Sequence, residues 1–151
     1  MAPRHPLTVR VDLSSNYEML DLAQTLTEGL CRELGFDEDA VHWIGVSVRE
    51  SVANAVLHGN RLHPDKRVFV ELAGTRTEGP SIDVTVRDQG DGFDPSTIAN
   101  PLAPENLLKG SGRGIFLIRS FMDDVVIERS AGGGMEMRLH KHAPPASDTP
   151  R

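Results

Sequence analysis

The chain has 151 residues, the length of one domain, and its 38% hydrophobic and 25% charged residues are ordinary for a globular protein with its own core. A formal net charge of −6 argues against a general nucleic-acid binder, and the single cysteine, Cys31, excludes a disulfide framework or a multi-cysteine zinc site. No apolar run reaches the roughly 18 residues that cross a membrane, and the opening MAPRHPLTVRV lacks a signal-peptide core, so the cytoplasm is the expected compartment.

Taken in chain order, Leu7, Val9, Val11 and Leu13 alternate with polar residues and predict a strand. Met19, Leu22, Ala23, Leu26, Leu30 and Leu34 form a helical stripe, with Asn16 as the expected N-cap and Gly35 as the stop. A second helix is expected after Asp37, with Val41, Ile44, Val48, Val52 and Ala55 on its apolar face and its end near Gly59. Two strands follow, through Val68, Val70 and Leu72, then through Ile82, Val84 and Val86. A shorter helix fits Gly114 to about Met122, facing Ile115, Ile118, Phe121 and Met122 inward. Strands through Val125 and Ile127 and through Met135, Met137 and Leu139 complete the set.

Clean alternation means a sheet covered on one side. The expectation is therefore an α/β chain of the α+β kind. It is a two-layer sandwich, with a mostly antiparallel mixed sheet of about five strands and helices on one face. Residues 1–142 form the single domain, and the Pro-, Ser- and Ala-rich residues 143–151 are expected to be a disordered tail.

Three stretches carry chemistry. On the second helix Glu50, Asn54 and His58 are spaced by four and line one face. As a solvated polar edge they need no function; as a site they offer a base, a metal ligand and a polar contact. The strand ending at Val86 runs into Asp88-Gln-Gly90-Asp-Gly92-Phe93. That is either a tight turn or a place where missing Cβ atoms admit a flat ring beside a hydrogen-bonding carboxylate. Lys109-Gly110-Ser111-Gly112-Arg113-Gly114 opens a helix, which makes it a flexible loop or a phosphate cradle of free N–H groups and positive dipole. It is neither a P-loop nor a dinucleotide fingerprint, because the glycine spacing differs.

The order of these three stretches resembles the GHKL (HATPase_c) ATP-binding fold, of Bergerat type, over about Leu7 to Leu139. Within it the chain is most similar to the anti-sigma factor serine/threonine kinase branch, of RsbW and SpoIIAB type. The tracts from Asn54 to Gly59 and from Gly112 to Val125 are the most specific parts. The resemblance implies ATP and Mg²⁺ as cofactors. It makes Glu50 the general base toward a partner's serine and Asn54 the Mg²⁺ ligand. Asp88 becomes the reader of the adenine amine, with Gly90 and Gly92 packed against the base. Gly110, Ser111, Gly112, Arg113 and Gly114 close the ATP lid, of which residues 100–109 are the mobile part. His58, Phe93, Lys109 and Ile115 complete the nucleotide-binding set.

Two departures stand out. Gly134-Met135 replaces the family's usual Gly-Thr pair, and Gly110 stands where a basic residue often precedes the lid serine. The implied partners are a STAS-type anti-anti-sigma factor and a sigma factor, with a homodimer as a family expectation and neither nucleic acid nor membrane engaged. The alternatives are a non-catalytic nucleotide-binding partner-switching module and a stand-alone GHKL ATPase or histidine-kinase-like catalytic domain. Trp43 and His42 read as packing and surface residues, and Cys31 as an inert buried thiol.

Overall fold

The computed structural model describes residues 5–91 and 113–145. The chain order is β1 (Leu7–Ser14), α1 (Glu18–Leu34), α2 (Glu38–Asn54), a π-helical turn (Ala55–Gly59), β2 (Arg67–Thr75), β3 (Ser81–Arg87), α3 (Arg113–Phe121), β4 (Asp124–Arg129) and β5 (Met135–His142). The five strands form one sheet in the order β1-β2-β3-β5-β4. All four pairings are antiparallel, so the sheet is not mixed. Among the described residues no helix is long and apolar enough to cross a membrane.

Strand alternation sorts the side chains as the period of two requires. In the register, Val70 stands opposite Val11 on one side and Val86 on the other, and Val86 opposite Met137. These apolar residues face the helices. Arg10, Glu71, Thr85 and Arg138 occupy the uncovered face, where exposed ion pairs such as Arg10–Glu71 and Arg138–Glu128 cross the strands.

The helices bury the matching stripes. In α1 these are Leu20, Ala23, Thr27, Leu30, Cys31 and Leu34, so the buried face is turned from the expected stripe: Leu20, Thr27 and Cys31 enter it, Met19 and Leu26 are only half-buried, and Leu22 is 45% exposed. In α2, Val41, Ile44, Val48 and Val52 are buried together with Ser47 and Ser51, whose hydroxyls donate to the carbonyls of Trp43 and Ser47 at 2.8 Å. That back-bonding satisfies two hydroxyls the core would otherwise leave unpaired. Complete burial of one such valine contributes about 1.5–3 kcal/mol.

The helix ends follow local chemistry, with one exception. Gly35 stops α1 at φ 97°, and its N–H bonds the carbonyls of Cys31 and Arg32. Asp37 caps α2 by accepting from the Ala40 N–H. Asn16, however, is not the cap of α1: Tyr17 takes that place with helical backbone angles. The Asn16 carbonyl accepts from Met19 N, while its amide donates to Ser14 Oγ at 3.2 Å. The side chain has a neighbouring hydroxyl to bond, so it does not turn back to the helix.

α3 lies antiparallel on α2. Its Phe121 ring stacks on Trp43, centroids 4.0 Å apart and planes 6° from parallel, while Gly114 at its other end meets Glu50. The aromatic stack thereby anchors one end of α3 and fixes where its glycine-rich start arrives. At the C-terminal side Ala143 packs against the core and its N–H bonds the Pro80 carbonyl. Pro144 and Pro145 of the expected tail are described too and pass close to Gly79, while residues 146–151 lie outside the described residues.

Candidate functional site

The site is built where α2 ends, β3 ends and β5 begins. Asp88, the residue after β3, is 5% exposed. Its backbone continues the β3–β5 ladder, since Asp88 N bonds the Met135 carbonyl. Its Oδ1 accepts from Gly90 N at 2.9 Å and from Met135 N at 3.0 Å. Among the described residues Oδ2 has no hydrogen-bond partner, and it lies against Gly59. Burial pushes the Asp88 carboxyl above its ordinary value, against the opposing pull of those two N–H groups and of the Lys66 charge.

The glycines around Asp88 serve protein packing first. A Cβ on Gly59 would stand 2.1 Å from Asp88 Oδ2, and a Cβ on Gly90 would stand 2.0 Å from the Gly59 carbonyl oxygen. The two glycines therefore let the π turn and the Asp88 loop touch backbone to backbone. Gly134, at φ 72°, passes over the Asp88 carbonyl in the same way. The face of Gly90 without a side chain thus points at the end of the helical segment, a role not expected from the sequence.

On α2, Glu50 and Asn54 are half-buried on one face, as their spacing requires. Among the described residues, Nδ2 of Asn54 is buried without a hydrogen-bond partner. Such an orphan is costly in a folded protein and calls for an explanation. Beyond Asn54 the helix widens into the π turn, a feature frequent at functional sites. His58 lies in that turn, is exposed, and does not line the cavity beside Asn54.

That cavity, about 20 Å³, is lined by Ser51, Asn54, Ala55, Val86, Asp88, Ile127, Met135 and Met137. The volume suits about one water. A larger concavity of about 460 Å³ opens on the uncovered face of the sheet, among Arg10, Phe69, Glu71 and Arg87. It is a shallow trough between surface side chains, with no orphaned polar group, so the smaller cavity is the chemically relevant one.

The third stretch arrives through α3. Gly114 is buried, and a Cβ there would stand 2.8 Å from Glu50 Oε2. The start of α3 therefore abuts the Glu50 carboxylate. Ile115 is half-buried against the core. Gly92, Phe93, Lys109, Gly110, Ser111 and Gly112, the expected lid of residues 100–109, and the side chain of Arg113 lie outside the described residues. Among the described residues no group of three His, Cys, Asp or Glu is placed to hold a metal ion. Burial pushes the Cys31 thiol up to about 12, which removes it as a nucleophile.

The sequence reading missed Asn60. It is 1% exposed, and its amide joins β1, β2 and the Asp88 loop. The only local signal is an asparagine placed directly after the glycine that ends a helical segment.

The residues present suit a nucleotide: a carboxylate on a buried aspartate, Asp88, with one oxygen that no described residue bonds, a buried amide nitrogen on Asn54 one turn from a second carboxylate, and a helix start beside them. Comparison with known proteins agrees. A family model described as the histidine kinase-like ATPase domain matches residues 13–141. An anti-sigma F factor of Heyndrickxia coagulans is 36% identical over 99 residues, 63% of this chain and just under two thirds, 65%, of that protein. An anti-sigma F factor of Geobacillus thermodenitrificans is 30% identical over 138 residues, 89% of this chain and 91% of that one. A serine-protein kinase RsbW of Listeria innocua is 26% identical over 143 residues, 91% and 88% of the two chains. Among solved structures, the histidine kinase domain of the Erythrobacter litoralis EL346 blue-light activated histidine kinase matches with a TM-score of 0.50 and 16% identity. That match covers 94% of this chain and 65% of that one, and it speaks to the fold alone.

Proposed function

Since the chain belongs to the histidine kinase-like ATPase domain family, and within it to the anti-sigma kinase branch, we propose that it is an ATP-dependent protein serine/threonine kinase of the anti-sigma factor type. In this reading it sequesters a sigma factor and phosphorylates a STAS-type anti-anti-sigma partner in the cytoplasm, as a homodimer. The observation that carries the proposal is the meeting of three stretches far apart in sequence: the Glu50–Asn54 face, the Asp88 loop and the Gly114 start of α3.

Each residue then has a task its surroundings support. The free Oδ2 of Asp88 accepts a hydrogen bond from the adenine amine. The cavity beside it is too small for a purine, so the base enters by displacing the Met135 and Met137 side chains. Both are unbranched thioethers with three rotatable bonds, and they yield more easily than Val86 or Ile127. The Asn54 amide oxygen would hold Mg²⁺. Magnesium keeps most of its waters, so one amide beside the phosphates is sufficient. The free N–H groups at the start of α3 face the phosphates.

Bound ATP supplies the phosphoryl group, and the metal neutralises part of its charge. Glu50 accepts the proton of the partner's serine hydroxyl as that oxygen attacks the terminal phosphorus, and ADP leaves. Gly114 keeps this carboxylate's surroundings open, because any side chain there would displace Oε2.

A thermal shift series with Mg·ATP, Mg·ADP and Mg·GTP tests the pocket. A ligand that binds the native state raises its apparent stability by mass action. Stabilisation by the adenine nucleotides and not by GTP is expected; equal or absent shifts would remove the adenine site. Incubation with labelled ATP and candidate STAS proteins then tests the chemistry. Label on a partner serine is expected, whereas binding without transfer would leave a non-catalytic partner switch.

A further inference from the structure

The Asp88 carboxylate is useful only if Oδ2 is held still, and Asp88 ends a strand at the start of a loop. Its own two N–H donors both bond Oδ1. They fix the carboxylate relative to Gly90 and Met135, but they do not fix the loop relative to α2, which forms the other wall of the cavity.

That connection is made by Asn60. Its Nδ2 donates to Ser15 Oγ and to the Arg67 carbonyl, both at 2.8 Å, and its Oδ1 accepts from Gln89 N at 2.8 Å. Both amide protons are spent, so the flat side chain has one orientation only. Its own N–H closes the π turn on the Ala55 carbonyl at 2.7 Å. Gln89 is the residue between Asp88 and Gly90, and its side chain in turn accepts from Arg67 N at 2.7 Å. The Asp88 loop is thus stitched to the helix end at Asn60 and to the start of β2 at Arg67. The same stitch presses Gly90 onto the Gly59 carbonyl and Oδ2 of Asp88 onto Gly59.

We infer that Asn60 is a positioning residue for nucleotide selection: through the Gln89 N–H it sets where Asp88 Oδ2 meets the 6-amino group of adenine. The inference rests on the reading of Asp88 given above and deepens it. Asn60 does not line the cavity. Its effect must therefore pass through Asp88 and be confined to the part of the ligand that Asp88 touches.

The test compares two probes on the full chain by calorimetry: Mg·ATP, and the Mg complex of purine riboside triphosphate, which carries hydrogen in place of the 6-amino group. For a hydrogen bond to a charged group, the native chain is expected to hold ATP about tenfold more tightly than the analogue. Asn60→Ala is expected to narrow that ratio to below about threefold by weakening ATP, while the affinity for the analogue stays within about twofold. In an Asp88→Asn background the same change is expected to cost almost nothing further, because the two residues act on one contact.

A purely structural Asn60 would weaken both probes equally, and a preserved ratio in Asn60→Ala overturns the inference while leaving the adenine reading intact. A native chain that does not distinguish the probes overturns the adenine reading and the inference with it. If Asn60→Ala does not fold, amide hydrogen exchange on the unsubstituted chain decides. The Gln89 N–H is expected to be protected and to slow further with ATP but not with the analogue; rapid exchange there, or equal slowing by both probes, overturns the inference.

Discussion

The two carboxylates of the site are held in opposite ways. Asp88 sits in a corner made of backbone: two N–H groups on one oxygen, and three glycines pressed against carbonyls and against the carboxylate itself. Glu50 sits on a helix edge, where the start of α3 approaches it closely at Gly114. Substitution in the first region has to move main chain, whereas the second can be changed by moving the far end of a flexible side chain. Recognition of a flat base needs the first kind of support. A group that must approach a partner's hydroxyl and then release it needs the second.

The sharpest way to separate the regions is Glu50→Gln. It keeps the size and removes the proton acceptor, so phosphate transfer is expected to fall by about 10²–10⁴-fold. ATP affinity by calorimetry should stay within about threefold, because the proposed role of the residue is toward the partner rather than the nucleotide. Transfer at the native rate would show that another group is the base.

Gly90→Ala tests the rigid corner. A Cβ 2.0 Å from the Gly59 carbonyl cannot be relieved by a rotamer change, and backbone must shift. A loss of about 2–3 kcal/mol is expected in urea unfolding. A native midpoint would mean that the corner gives way easily and that the contrast between the regions is false.

Asp88→Asn should weaken ATP by about tenfold, yet leave the ligand-free protein at least as stable at neutral pH. The amide oxygen still accepts from Gly90 and Met135, and a buried charge is gone. The sign follows from the raised folded value. The native form of this carboxyl holds its proton more tightly than the unfolded form, so its contribution to stability falls as pH rises through the window above the ordinary carboxylate value. The stability of the variant minus that of the native chain should grow across that window and then level off. A difference that stays flat from pH 3 to pH 7 would contradict the burial of this charge.

The smallest effect on folding is expected for Gly114→Ala. Glu50 Oε2 can swing aside, and alanine favours helix, so the unfolding midpoint should move by less than about 0.5 kcal/mol. Transfer should still fall by about three- to tenfold, because the displaced carboxylate is the proposed base. A large loss of stability would place Glu50 in the rigid class after all.

The strands and the apolar face of α2 were legible in the chain because their signal is local: Val68, Val70 and Leu72 alternate whatever they pack against, whereas the face α1 buries, with Leu20 inside and Leu22 outside, was set by its packing. Asp37 and Gly35 were legible for the same reason, since a cap bonds residues three or four away. Asn16 was misread because its amide bonds the Ser14 hydroxyl instead of turning back to the helix. The closeness of the three site stretches was suggested by motif order, but the roles of their glycines were not. Gly59 and Gly90 are 31 positions apart, yet Gly90 is required by the Gly59 carbonyl, and Gly59 in turn by the Asp88 side chain.

By itself the sequence determined the period of each element, and hence which faces are apolar and that one sheet is covered on one side. It also placed a carboxylate, an amide and a second carboxylate on elements able to converge. Only the tertiary structure decided that the helix widens after Asn54, that Trp43 stacks on Phe121 to seat α3, and that Asn60 ties the loop of Asp88 to the helix end. Periodicity is a property of neighbours along the chain, whereas close backbone approach and the satisfaction of a buried amide depend on partners that become neighbours only when the chain has folded.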